Sequence, residues 1–328
     1  MALTLALESS CDESSVALID SERRVVASLV HSQQAVHAPY GGVVPELAAR
    51  AHLEKLPGLV EQVLGQAGVR PPDLDRIAVT RGPGLIGCLL VGVGVAAGLA
   101  HAYQRPLVGV NHLWGHVYAA LLCRPELEPP LLALVVSGAH TDLVWMSAHG
   151  RFEILGRTRD DAAGEAFDKA ARMLDLGYPG GPLLDRLARS GEARRQPLPR
   201  PSLPGLEFSF SGLKTALLYR LRDLGGNGAI SQSTRSDLCA AFEDSVVESL
   251  LSKLQLALKA RPVSEVVICG GVAANSRLRS RAAEIMPAGV NLTVPPLQLC
   301  TDNAAMIGAA SFHVEASGSV LADPGLSW

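Results

Sequence analysis

Leu131-Leu132-Ala133-Leu134-Val135-Val136-Ser137-Gly138-Ala139-His140-Thr141-Asp142-Leu143-Val144-Trp145-Met146 reads as an apolar strand, a small polar turn over Ser137 to Thr141, and a strand returning from Asp142. Phe152 to Arg157 adds a third strand. The same succession stands near the start of the chain. Residues 3–8 and 15–19 are strands, Ser9-Ser10-Cys11-Asp12-Glu13-Ser14 is the turn between them, and Arg24 to His31 is the third strand. Apolar runs of this length bounded by small turn residues are the mark of paired strands. Strand, turn, strand, strand and then helix therefore occur twice with little identity between the copies, an internal duplication of topology. Two α/β units of this kind with a cleft between them make a nucleotide-binding architecture.

Outward from these cores, Pro45 to Leu64 is an amphipathic helix with Pro45 in its first turn. Asp75 to Thr80 is a strand, Arg81-Gly82-Pro83-Gly84 a loop, and Leu85 to Ala100 a Gly/Ala-rich helix. That last segment is uncharged, but it is short for a membrane span and rich in glycine, so it reads as a helix packed inside the protein. Leu107 to Val110 is a strand leading into a histidine pair. Gly191 to Gly205, with Pro197, Pro199, Pro201 and Pro204, is an extended loop. Asp237 to Ala260 is a long helix, Val263 to Cys269 a strand, and Asn303 to Glu315 the last helix; beyond Ala316 the tail is loose, with Trp328 as a docking group.

The 328 residues exceed what one compact core usually holds, so two domains are expected. Net charge is −3, which excludes a generally basic nucleic-acid binder and confines any such contact to a local surface. From Arg186 to Arg222 eight Lys/Arg face two Asp/Glu, a local charge of +6 that leaves −9 elsewhere. Six scattered cysteines without a CxxC pair read as core residues of a cytoplasmic protein. The first residues lack a charged leader and reach Glu8 quickly, so they do not read as a signal peptide.

Several motifs carry chemistry. In Asn111-His112-Leu113-Trp114-Gly115-His116 the two histidines are four apart. On a helix they share one face and can hold one metal ion, with a distant carboxylate such as that in Thr301-Asp302-Asn303 completing the set. The turns at Ser9 to Ser14 and Ser137 to Thr141 present backbone N–H groups suited to phosphate. Asp12 and Glu13 would repel phosphate there unless a cation intervenes or they serve as a base. Gly270-Gly271 after a strand, followed by Asn275, is equally a ligand loop or a packing device. Asp168, in Gly164 to Lys169, is placed to take ribose hydroxyls or to form a surface ion pair. Tyr178-Pro179-Gly180-Gly181-Pro182 is a rigid turn, with Asp185 one turn into the next helix.

Taken together, Glu8 to Glu13, Asn111 to His116, Val136 to Thr141, Gly164 to Lys169, Tyr178 to Pro182, Phe208-Ser209-Phe210-Ser211-Gly212-Leu213-Lys214-Thr215, Gly270 to Asn275 and Cys300 to Asn303 resemble the tRNA threonylcarbamoyladenosine transferase family of the bacterial TsaD type. The motifs come in the family's order and span nearly the whole chain. The resemblance implies the actin/Hsp70/sugar-kinase (ASKHA) α/β fold, two duplicated ribonuclease-H-like domains around a cleft. The expected division is residues 1–125 plus 303–328, carrying the histidine pair, and residues 126–302, carrying the nucleotide loops. It also implies transfer of the threonylcarbamoyl group of threonylcarbamoyl-adenylate to the exocyclic amine of the adenosine 3′ of the anticodon, in tRNAs reading codons that begin with A, with release of AMP.

By the same resemblance one divalent metal ion per subunit, iron before zinc, is held by His112, His116 and Asp302. The adenylate is expected at Val135, Val136, Ser137, Gly138, Ala139, Asp168, Gly181, Asp185 and Asn275, and the loop reading adds Gly270 and Gly271. Asp12 and Glu13 are the candidate catalytic bases, and Arg194, Arg195, Arg200 and Lys214 the candidate tRNA contacts. Expected partners are tRNA, a paralogous ASKHA subunit and a small P-loop ATPase, with no membrane. Two departures stand out: Ala139 replaces the second glycine of the family's Ser-Gly-Gly loop, and Val135 replaces a tyrosine that some relatives direct at the metal.

Three other readings compete. A metalloprotease would carry H-E-x-x-H, but Leu113 stands where its glutamate belongs. A non-catalytic scaffold of the same fold would lack the metal triad or the Gly-Gly loop. A kinase of the fold usually begins with an Asp-Gly-Thr type loop, where this chain has Glu8-Ser9-Ser10.

Overall fold

The structure is a computed structural model that describes residues 2–316 and 320–327, so Trp328 lies outside the described residues. The chain forms two compact units, residues 1–127 with 295–328, and residues 128–294. Asp302 thus belongs to the same unit as the histidine pair.

The first unit holds strands β1 (Leu3–Glu8), β2 (Glu13–Asp20), β3 (Val25–Ser32), β4 (Arg76–Gly82) and β5 (Leu107–Asn111). Their order is β3-β2-β1-β4-β5. The β1, β2 and β3 neighbours run antiparallel, while β4 joins β1 and β5 joins β4 in parallel. Parallel neighbours need crossovers, which here are helices, so the central strands are covered on both faces and read as unbroken apolar runs. β3 shows the opposite pattern, alternating exposed and half-buried residues, as befits an edge.

One face is covered by the helices Pro45–Ala67 and Ile86–Ala102. Leu56, Leu59, Val60 and Val63 of the first, and Val93, Ala96 and Ala100 of the second, pack on Leu5, Leu7, Val16, Leu18, Ile77 and Val79. Each such leucine or valine contributes about 1.5–3 kcal/mol when fully buried. Pro45 occupies the first turn as expected, and Gly68, at φ 65°, closes the helix by donating to Leu64 and Gly65 carbonyls. The other face is covered by Ala304–Ser311, all of whose residues are buried. No helix among the described residues is long and apolar enough to cross a membrane.

The second unit repeats the path with β6 (Leu131–Val136), β7 (Thr141–Ala148), β8 (Arg151–Arg157), β9 (Glu265–Cys269) and β10 (Asn291–Thr293). The order β8-β7-β6-β9-β10 has the same antiparallel and parallel pairings as the first sheet. The duplicated topology read from the two strand–turn–strand cores is therefore present. The helices Ala163–Met173, Gly180–Ala188, Ser211–Asp223, Gln232–Ala260 and Ser276–Ile285 complete this unit.

Some boundaries differ from expectation. The long helix starts at Gln232 rather than Asp237, because the Ser231 hydroxyl accepts from the Thr234 amide and caps it. The last helix is Ala304–Ser311 rather than Asn303 to Glu315; Asn303 is its cap, accepting from Met306 N at 2.9 Å.

Candidate functional site

β5 ends at Asn111, whose carboxamide oxygen accepts from Leu113 N at 2.8 Å and caps the helix His112–Cys123. The histidines accordingly share a face, with ring centroids 4.7 Å apart. Gly115 lies between them. A Cβ there would come 2.8 Å from Ile307 Cδ1 and 3.1 Å from Met306 Cγ, so the Ile307 and Met306 side chains of the last helix fill the space that a side chain at this position would take. That packing brings in Asp302, just before the Asn303 cap. Its Oδ1 lies 3.5 Å from His112 Nε2 and 3.3 Å from His116 Nε2.

The donor set fits a metal ion. Bonds of about 2.0–2.2 Å in a tetrahedral site place donor atoms roughly 3.4 Å apart, close to these separations. His116 is fully buried, and neither ring nitrogen finds a hydrogen-bond partner among the described residues. A buried imidazole left so is costly unless something else takes its lone pair.

His112 is fixed from behind. Its Nδ1 lies 3.0 Å from Glu8 Oε2 and 3.2 Å from Ser10 Oγ. Glu8 is itself buried and accepts from Ser10 N and from the Thr80 hydroxyl, each at 2.5 Å. Burial pushes the Glu8 carboxyl up, but the His112 charge and hydrogen bond, with that from Thr80, hold it below the usual range. With Nδ1 committed to Glu8, Nε2 is left toward Asp302. Glu8 and Thr80 were not among the expected site residues. The available signal was a carboxylate closing a strand that is otherwise apolar, since a buried charge needs partners.

Asp12 stands in the β1–β2 turn and Glu13 opens β2, both half-buried. Burial, then the charges of Asp302 and Asp12, push the Glu13 carboxyl up to about 10. The turn is anchored by Ser9, which donates to Cys88 O at 3.0 Å, and by the buried His52, which bridges Ser14 Oγ at 2.7 Å and Cys11 O at 2.9 Å.

In the second unit, the turn after β6 is closed by Ser137 N donating to His140 O at 2.8 Å and His140 N donating to Ser137 Oγ at 3.1 Å. Gly138 and Ala139 are exposed at its tip. Ala139 is not at positive φ, so its methyl strains nothing in the backbone. Val135 and Val136 are wholly buried within β6, where Val135 pairs with Asp142 and Cys269 and Val136 with Thr141. Asp168 Oδ1 accepts from Gly180 N at 2.8 Å, tying the helix Ala163–Met173 to the turn that precedes Gly181. Gly270 has φ +90° and touches the Val136 backbone so closely that a side chain would clash. Asn275 caps Ser276–Ile285 by accepting from Leu278 N at 2.8 Å. Asp185 accepts from the Ser276 amide and hydroxyl at 3.0 and 2.6 Å, and from Arg189 at 2.6 Å. Asp168 and Asp185 thus tie the two ends of the Gly180–Ala188 helix region to Ala163–Met173 and to the helix that Asn275 caps.

A family model described as TsaD, tRNA N6-adenosine threonylcarbamoyltransferase, matches residues 24–309. The chain belongs to the TsaD family. The protein of that name from Symbiobacterium thermophilum is 50% identical over 318 residues, covering 96% of this chain and 92% of its own. That from Bordetella avium is 49% identical over 312 residues, covering 94% and 90%. This TsaD chain is accordingly a transferase. Among solved structures, component A of the (R)-2-hydroxyglutaryl-CoA dehydratase of Acidaminococcus fermentans aligns with TM-score 0.56 at 18% identity, covering 96% of this chain and 98% of that one. HypF of T. kodakarensis aligns with TM-score 0.63 at 12% identity, covering 95% of this chain and 47% of that one. At such identities the likeness is one of fold, and the fold is the ASKHA α/β type.

The basic residues of this TsaD chain divide in two. Arg194 is 88% exposed and Arg195 56%, held by Glu192. Arg200 is 61% exposed and pairs with Asp244 at 2.9 Å. Lys214, by contrast, is 17% exposed and ion-paired to Asp161, which Lys169 also meets at 3.0 Å. Its neighbours Phe210 and Ser211 bond to Asp160. The Phe208 to Thr215 motif therefore braces the start of Ser211–Asp223, and the Lys214 charge is used inside the fold.

Proposed function

We propose that this chain transfers the threonylcarbamoyl group from threonylcarbamoyl-adenylate to the exocyclic amine of the adenosine 3′ of the anticodon, in tRNAs reading A-starting codons, and releases AMP. One observation carries the reading beyond family membership: two imidazoles and one carboxylate meet at metal-binding separations, with His116 buried and lacking any other partner among the described residues. Two histidines and one carboxylate with open positions are a donor set suited to Fe(II), and zinc is compatible with it. When bound, the ion supplies Lewis acidity toward the donor's carbonyl or phosphate oxygens.

The chain's own residues do the rest. Glu8 holds the His112 tautomer through Nδ1, so that Nε2 faces the site. The backbone of the Ser137 to Ala139 turn offers N–H groups to phosphate. Asp168, Gly181, Asp185, Gly270, Gly271 and Asn275 are the proposed adenosine contacts, with carboxylates suited to ribose hydroxyls. The donor is a mixed anhydride and AMP a good leaving group, so orientation of the weakly nucleophilic amine is the larger task. Asp12 or Glu13 takes the proton that the amine loses on attack. Burial and the charges of Asp302 and Asp12 keep Glu13 protonated, so Glu13 would serve as this base only if a cation held by His112, His116 and Asp302 offset that charge.

Arg194, Arg195 and Arg200 are the proposed tRNA phosphate contacts. A paralogous ASKHA subunit and a small P-loop ATPase are proposed partners; the exposed Leu53, Ile86 and Leu90 on the helices Pro45–Ala67 and Ile86–Ala102 support a protein-binding face. The test is a product assay with tRNA and threonylcarbamoyl-adenylate. AMP and modified tRNA in equal amounts support the transfer. ADP formation from ATP, or peptide cleavage, without modified tRNA would overturn it.

A further inference from the structure

Glu243 is a carboxyl that the chemistry above leaves unused, and it is buried in the long helix Gln232–Ala260 at 5% exposure. Its Oε1 accepts from Asn275 Nδ2 at 2.6 Å, and the Asp185 carboxylate is the acidic group whose charge acts on it. The Asn275 carboxamide is thereby fixed at both ends, because its oxygen is committed to Leu278 N. One N–H and one lone pair of that amide remain for a ligand. Asp185 is bound by Ser276 and Arg189 in the same way. One glutamate thus joins the end of the Gly270 to Asn275 loop to the helix Gly180–Ala188.

We infer that Glu243 is a positioning residue of the adenylate site, which acts in its protonated form by accepting from Asn275 and donating to Asp185. This rests on the reading of Asn275 and Asp185 as adenylate contacts. A neutral carboxylic acid can do both at once, whereas a carboxylate can only accept and would repel Asp185. The groups that face Glu243 are Asp185 from Gly180–Ala188, Arg277 from Ser276–Ile285, and Cys239 one turn earlier on its own helix. Burial raises the Glu243 carboxyl to about 7, with Asp185 adding to the rise and Asn275 and Arg277 opposing it. In the proposed arrangement the Glu243 proton is therefore lost as pH rises through about 7. Glutamine at this position keeps an acceptor for Asn275 and a donor for Asp185 with no proton to lose.

The probe is AMP, the leaving group of the proposed reaction, titrated calorimetrically into the full chain at pH 6.5 and 8.5. Wild type, Glu243→Gln, Glu243→Ala and Asn275→Ala are compared, with thermal melts confirming folding. We expect Glu243→Ala to weaken AMP about tenfold at pH 6.5, the loss of roughly one oriented hydrogen bond. Glu243→Gln should bind as wild type does at pH 6.5. Wild type should then weaken about tenfold relative to Glu243→Gln at pH 8.5, a comparison from which the titration of AMP itself cancels. If Glu243→Ala does not fold, the Gln comparison across pH decides. Equal pH dependence in wild type and Glu243→Gln overturns the inference while leaving the adenylate site intact. Absence of AMP binding to wild type, or unchanged binding in Asn275→Ala, overturns instead the adenylate reading on which it rests.

Discussion

Glu8 Oε2 and His112 Nδ1 lie 3.0 Å apart, and Thr80 and the Ser10 amide occupy the rest of the Glu8 carboxylate. The consequence is a histidine that cannot turn its other nitrogen away from Asp302. Glu8→Gln keeps the shape and loses the charge behind the ring. It is expected to lower affinity for the divalent ion about 10–100-fold while the chain stays folded. Competitive chelator titration of the purified variant checks this; wild-type affinity would remove Glu8 from the site's support.

Gly115 sets the distance between the helix that bears the histidines and the one that follows Asp302. Gly115→Val forces a side chain against Ile307 and Met306. The expected loss is about 1–3 kcal/mol of stability, as for overpacking elsewhere, with a parallel loss of bound metal. Urea denaturation and metal content measured on the same sample test both parts. Unchanged stability would mean that the helices part freely.

The Glu243 carboxyl has a folded-state value of about 7 against an ordinary 4.5. A carboxyl raised on folding favours the native state fully below about pH 4.5, and that contribution is lost as pH rises through about 7. Glu243→Gln lacks the effect. The stability difference between Glu243→Gln and wild type should therefore grow in favour of the variant between pH 5 and pH 8, by roughly 2 kcal/mol. Denaturant melts at the two values measure it, and a difference independent of pH would contradict the shift.

The exposed arginines and the half-buried, ion-paired lysine should part company. Arg194→Ala with Arg195→Ala is expected to make the dependence of tRNA affinity on log salt shallower by about 1–2, one unit for each phosphate no longer neutralised. Lys214→Ala should instead destabilise the fold, since Asp161 keeps only its ion pair with Lys169. Filter binding across a salt series, with melts of each variant, separates them. A steep slope retained in the double variant would return Arg194 and Arg195 to the solvated surface.

Much of the fold was legible because the deciding segments are local. β1, β2, β6 and β7 are apolar runs broken by small polar turns, and the pattern that repeats them needs no knowledge of distant contacts. The histidine pair was legible for the same reason, as residues four apart on a helix share one face. Asp302 was legible as a distant carboxylate that could complete the histidine pair, and the family resemblance assigned it, but nothing in the local sequence says that Gly115 admits the last helix so closely. Glu8 lay inside a recognised motif, yet its role depends on Thr80, from β4, and His112, from the first turn of the helix after β5. Lys214 looked like a free positive charge because Asp161, which pairs with it, stands across the fold. Glu243 sits in an ordinary amphipathic pattern, and only the tertiary contacts with Asn275 and Asp185 mark it. Short elements such as β10 (Asn291–Thr293) escape because their few residues carry no periodicity.

The central claim is that a divalent cation bound by His112, His116 and Asp302 is needed for the transfer. Elemental analysis of wild type and His116→Ala, run on the same preparations as the tRNA transfer assay, tests it most directly. The account predicts about one ion per wild-type chain, little in His116→Ala, and loss of modified tRNA and AMP in step with the ion. Full turnover by chain stripped of metal, or an undiminished ion content in His116→Ala, would contradict it.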